Sequence, residues 1–122
     1  LSQLVEAKAD IPDSFFMANQ KIDEPLKGIV NASLKANGAS VLLTDFKACD
    51  HFDVMEDLSD IRLPVQIIVG EADSMTPVKY AKYMDEQLPN SQLHIIEKGT
   101  HMVFAEQPKA VNHLISGFLN SI

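Results

Sequence analysis

Asp73 and His101 are the two residues whose types and surroundings point to chemistry. Asp73 ends Gly70-Glu71-Ala72-Asp73, directly after the apolar run Val65-Gln66-Ile67-Ile68-Val69. His101 ends Glu97-Lys98-Gly99-Thr100-His101, directly after Leu93-His94-Ile95-Ile96. A carboxylate that accepts the Nδ1–H of an imidazole fixes its tautomer and stabilises the imidazolium formed during proton transfer. Such a histidine serves as general base and then as general acid. The order, acid before histidine, is the one expected when a nucleophile lies upstream.

Those two residues need elements that bring them together. Val65–Val69, set between Pro64 and Gly70, reads as a strand buried on both faces of a parallel sheet. Thr76-Pro77 predicts an N-cap and a first helical position, with the helix running to Leu88 before Pro89. Leu93–Ile96 is a second strand, and Pro108 opens a last helix with Val111, Leu114, Ile115, Phe118 and Leu119 on one face. Strand, helix, strand, helix implies parallel strands with right-handed crossovers. The loops carrying Asp73 and His101 then leave the carboxyl ends of adjacent strands, where open α/β sheets bind ligands.

The first half reads as helices. Leu1–Ala9 has helical spacing, and Pro12 opens a second helix through Phe15, Phe16 and Met17. Pro25 opens a third, with Leu26, Ile29, Val30 and Leu34 as a stripe and Asn37-Gly38 as its stop. A fourth carries Val41, Leu42, Phe46 and Cys49. The expected fold class is thus α/β in a single domain, with residues 1–62 helical and lid-like and residues 63–122 a β-α-β-α unit of parallel strands.

The segment from Leu63 to Ile122 resembles the end of the α/β-hydrolase family, in its esterase and C–C hydrolase branch. Leu63-Pro64-Val65-Gln66-Ile67-Ile68-Val69-Gly70-Glu71-Ala72-Asp73-Ser74-Met75-Thr76-Pro77 looks like that family's strand, acid loop and helix start. Gly99-Thr100-His101-Met102-Val103-Phe104-Ala105-Glu106-Gln107-Pro108 looks like its histidine loop and terminal helix. The resemblance implies a partial α/β-hydrolase fold in which Asp73 and His101 are the triad acid and histidine. Met102 and Phe104 would line an acyl pocket. The family's G-x-S-x-G elbow is missing. Its nearest imitation, Gly38-Ala39-Ser40-Val41-Leu42, lacks the second glycine and a preceding strand.

Three functional readings follow. The first is the C-terminal portion of a serine-type hydrolase of esters, thioesters or C–C bonds, inactive alone because acyl transfer lacks its attacking atom. The second is a standalone non-enzymatic interaction domain. The third is a fragment of an aspartate-nucleophile dehalogenase or epoxide hydrolase. The start at Leu1, on a helical pattern, favours a piece of something longer.

Other residues attract blander readings. His51, His94 and His113 lack metal-ligand spacing to any histidine or cysteine, so neither a metal nor another cofactor is expected. Asp50, His51 and Asp53 read as a polar loop before a helix start at Asp53. Met55, Met75 and Met84 read as gap-fillers, and Cys49 as a buried helix residue.

The net charge of −7, with no cluster among the ten basic residues, argues against nucleic acid. No apolar run has the length of a membrane span. One cysteine fits a reducing cytosol, so a cytoplasmic protein is expected. In the parent the partner is a small-molecule substrate. Alone, the chain is expected to form a homodimer. The Val65–Val69 edge would be unpaired and the sheet faces poorly covered, and both invite a second copy.

Overall fold

The computed structural model describes residues 24–122, so the helices expected at Leu1–Ala9 and after Pro12 lie outside the described residues. The described residues divide into two compact units, 24–53 and 54–122.

The first unit is one helix, α1, spanning Glu24–His51, broken at Gly38. Gly38 has φ 75 and ψ 160, a backbone conformation glycine adopts without steric cost. The expected stop at Asn37-Gly38 is therefore a kink, after which the helix resumes at once. Ile29, on the expected apolar stripe, is 65% exposed. Cys49, in the last turns of α1, is exposed, not buried. Asp53 does not start a helix. A 3-10 helix begins two residues later, at Met55–Asp60.

In the second unit that 3-10 helix precedes β1 (Val65–Gly70), α2 (Val78–Gln87), β2 (Ser91–Ile96), α3 (Val103–Glu106) and α4 (Pro108–Leu119). The two strands run parallel, in register from Val65 opposite Ser91 to Gly70 opposite Ile96. Alternate residues of β1 serve opposite faces. Ile67 and Val69 pack with Leu58, Ala81 and Leu88, so the 3-10 helix and α2 cover one face. Ile68 packs with Ile96, Val103 and Val111 under α3 and α4 on the other. Gln66 secures that second face, its Nε2 donating to the Leu114 carbonyl at 3.0 Å.

Two expectations change here. The expectation of poorly covered faces holds only in part: helices from the same unit lie on both, while Ile68 and Leu93 are half-buried and Ile95 is 43% exposed. The edge expectation stands on the topology: among the described residues the sheet has two strands, and β1 has no partner on the side away from β2. The apolar face of α4 is also narrower than its periodicity implied. Val111 is buried and Leu114 half-buried, while Ile115 and Leu119 are 40% and 61% exposed.

Candidate functional site

The loops after β1 and β2 approach each other through two glycines. A Cβ placed on Gly70 would collide with Gly99 C and O and with the Thr100 carbonyl oxygen, all backbone atoms. Only a residue without a side chain permits this contact. Around it the loop after β1 donates to the β2 side: Glu71 N–H to the Ile96 carbonyl at 2.9 Å, and Ala72 N–H to the Gly99 carbonyl at 2.8 Å. Lys98 takes a positive φ of 57, which turns the chain after β2. Its N–H donates to Glu71 Oε2 at 3.1 Å.

The histidine loop is held from α3 as well. Glu106 accepts the Thr100 N–H at 2.8 Å on Oε2 and the Thr100 hydroxyl on Oε1. Gln107 Nε2 donates to the Glu97 carbonyl at 2.9 Å. The segment entering His101 is thus tied at Glu97, Lys98 and Thr100.

These restraints deliver the pair. Asp73 Oδ2 lies 3.0 Å from His101 Nδ1. The Asp73 side chain is 5% exposed and that of His101 31% exposed. Asp73 Oδ1 accepts two backbone N–H groups, from Met75 and Thr76, each at 2.9 Å. The Thr76 hydroxyl donates to Oδ2 at 2.9 Å and sits 3.2 Å from His101 Nδ1. Burial pushes the Asp73 carboxyl up. The Thr76 N–H, the His101 ring and the Thr76 hydroxyl together outweigh burial and hold it below the ordinary carboxylate value. An ionised carboxylate only accepts, so the His101 nitrogen facing it carries the proton. Nε2 is then the basic nitrogen, and among the described residues it has no hydrogen-bond partner. A group delivered to Nε2 can lose a proton to it.

A groove of about 210 Å³ adjoins the pair, lined by four consecutive β1 residues, Ile67 to Gly70, and by Tyr80, Met84 and Val103 among others. Consecutive strand residues face opposite sides. A groove touching all four follows the strand's edge, and no β2 residue lines it. It therefore runs along the open edge of β1 and ends at Asp73 and His101. Its volume is below the ~300–1,000 Å³ usual for a small-molecule site. Met102 and Phe104 do not line it, and Phe104 is 56% exposed.

Sequence reasoning brought Asp73 and His101 together and missed Thr76 as a third member. Thr76-Pro77 has the composition of a helix start, but α2 begins at Val78 with Pro77 as its cap residue and no side-chain cap bond. The Thr76 hydroxyl is on Asp73 instead. Glu106 was missed too, because its partner Thr100 lies six residues back, outside any helical capping spacing. Gly38–Leu42, the imitation of a nucleophile elbow, lies inside α1 and carries Ser40 on an exposed helical turn. Among the described residues no three histidine, cysteine or acidic side chains gather as a metal site, and no helix is long and apolar enough to cross a membrane.

Comparison with known proteins agrees with this architecture. Residues 33–121 match the family model described as TAP-like protein. A putative carbamate hydrolase RutD of Caulobacter sp. (strain K31) is 34% identical over 80 residues, covering 66% of this chain and 30% of its own length. The 3-oxoadipate enol-lactonase 1 of Acinetobacter baylyi (strain ATCC 33305 / BD413 / ADP1) is 30% identical over 100 residues, covering 82% of this chain and 32% of its own. Among solved structures, a thermophilic esterase superposes with a TM-score of 0.76 and 28% identity over 99% of this chain and 51% of its own. The chain thus spans about a third of the length of these curated relatives. With the family model covering most of its residues and parallel strands presenting an acid and a histidine from adjacent loops, the chain belongs to the α/β-hydrolases, in the family of TAP-like proteins.

Proposed function

We propose that this chain is the C-terminal portion of a serine-type hydrolase acting on an ester, a thioester or a carbonyl-activated C–C bond. The observation that carries the reading is the bond between buried Asp73 and His101 Nδ1 at 3.0 Å, with Nε2 left free to take a proton. Asp73 orients the ring. His101 takes the nucleophile's proton through Nε2 as it attacks a carbonyl carbon, then returns it to the leaving group. The similar proteins are named for a carbamate, an enol-lactone and an ester, each of which holds a carbonyl carbon, and this supports the substrate class.

The nucleophile and the oxyanion donors come from a preceding strand and its loop. Within the described residues, Ser40 on α1 has none of the strand-turn-helix geometry that lifts such a serine out of the backbone.

The 122-residue chain alone is accordingly expected to hydrolyse no short acyl ester by a covalent route and to take up no organophosphonate. Intact-mass measurement after incubation checks this, and stoichiometric labelling of a serine would defeat it. The coding sequence before Leu1 tests the nucleophile directly. G-x-S-x-G after a strand agrees with a serine enzyme, G-x-D-x-x replaces it with an aspartate enzyme, and a start codon at Leu1 points to a non-enzymatic domain.

In isolation the open edge of β1 is expected to recruit a second copy. Unsatisfied strand edges pair readily, and two-fold dimers are the commonest arrangement. Sedimentation equilibrium at micromolar concentration should give twice the 13.5 kDa chain mass. A single species at the chain mass would show that the edge is not used.

A further inference from the structure

We infer that Thr76 is a positioning residue, whose hydroxyl locks the Asp73 carboxylate in the plane that holds the His101 ring. The inference rests on the reading of Asp73 and His101 as acid and base.

A carboxylate has about four lone-pair sites. Here all four are used: Oδ1 by the N–H groups of Met75 and Thr76, Oδ2 by His101 Nδ1 and the Thr76 hydroxyl. Thr76 supplies two of the four donors. Its hydroxyl is not spent on the helix that follows, because α2 has no side-chain cap bond. Instead the oxygen stands between both members of the pair, 2.9 Å from Asp73 Oδ2 and 3.2 Å from His101 Nδ1. The proton goes to Oδ2, and the remaining lone pair faces the Nδ1–H. Thr76 therefore closes a three-membered ring of hydrogen bonds that disfavours both carboxylate rotation and the other imidazole tautomer.

Without the hydroxyl, Oδ1 remains pinned by backbone, but one site on Oδ2 is vacant. The carboxylate can then swing about its pinned oxygen or take up water, and the Nδ1–H bond opens more often. Thr76 also borders the groove, but its hydroxyl is spent on Asp73 and His101, so losing that hydroxyl should lower kcat and leave KM nearly unchanged.

The test uses Thr76→Val, which keeps the shape, and Thr76→Ser, which keeps the hydroxyl. On the isotopically labelled chain, NMR reads the solvent exchange of the His101 Nδ1–H and the titration of the Asp73 carboxyl carbon. Thr76→Val should speed Nδ1–H exchange roughly tenfold, the size of one hydrogen bond to a charged group, and move the Asp73 titration upward. Thr76→Ser should match the parent. In the polypeptide that carries the nucleophile, Thr76→Val should lower kcat roughly tenfold with little change in KM. Asp73→Asn separates the two claims. If it abolishes the Nδ1–H signal while Thr76→Val changes nothing, the pair stands and the role of Thr76 falls. If Asp73→Asn also changes nothing, the acid–base reading itself falls. Should Thr76→Val not fold, the Thr76 hydroxyl proton of the parent decides: slow exchange supports the lock, and exchange at the free-threonine rate overturns it.

Discussion

Replacing Asp73 with asparagine is expected to lower kcat by about 10⁴-fold in a polypeptide that carries the nucleophile, with KM nearly unchanged. That is the loss typical of an orienting aspartate in a serine–histidine–acid site. Asparagine fits the same space, but its amide can present an N–H where Oδ2 now accepts the Nδ1 proton at 3.0 Å. The ring then favours the tautomer with its proton on Nε2, which cannot act as a base. Steady-state kinetics checks this, and a loss under tenfold would remove Asp73 from the mechanism. The same substitution alters acid stability. The Asp73 carboxyl is held below its ordinary value, so the folded state binds its proton less readily than the unfolded chain. Its stabilising contribution is complete above the unfolded carboxylate pKa of about 4 and is lost as pH falls toward the folded value. Asp73→Asn should remove that part of the acid-induced loss of stability.

The second large effect is structural. Gly70→Ala should destabilise the 54–122 unit by roughly 3 kcal/mol or more, the upper range for overpacking, since the new methyl meets backbone and not a yielding side chain. For a unit of this size that corresponds to a fall in melting temperature of roughly 10 °C or more. The added Cβ would also force apart the loops that hold Asp73 and His101, so activity should fall beyond the loss of folded protein. Gly117→Ala is the control of opposite sign. Its Cβ would meet nothing within 4 Å, and it lies inside α4. Alanine there should stabilise by up to ~1 kcal/mol through helix propensity. Thermal unfolding of the two variants checks the contrast, and equal shifts would refute the close-approach account of Gly70.

Parts of this architecture were legible from residue order and parts were not. The β-branched run Val65–Val69 and the prolines at Pro64 and Pro108 mark their elements because the preference is local to each residue. Adjacent parallel strands then place Asp73 and His101 side by side by topology alone. Thr76 was misread because capping a helix and gripping a carboxylate use the same hydroxyl, and only the position of Asp73 Oδ2 decides between them. The stop at Gly38 was correctly located but became a kink, because a single positive φ lets a helix either end or resume. Cys49 was placed inside on helical spacing, yet spacing does not say whether a helix face meets a core. The partial cover of the sheet's faces and the Gly70–Gly99 contact depend on residues distant in sequence, and no local pattern encodes them.

The central claim is that Asp73 holds His101 with its proton on Nδ1 and its lone pair on Nε2. Long-range proton–nitrogen correlation on the ¹⁵N-labelled chain at mildly alkaline pH measures this directly. The expected spectrum shows His101 protonated at Nδ1, with a low-field Nδ1–H signal that disappears in Asp73→Asn. A ring protonated at Nε2, or one that exchanges freely between tautomers and is indifferent to Asp73→Asn, would contradict the account.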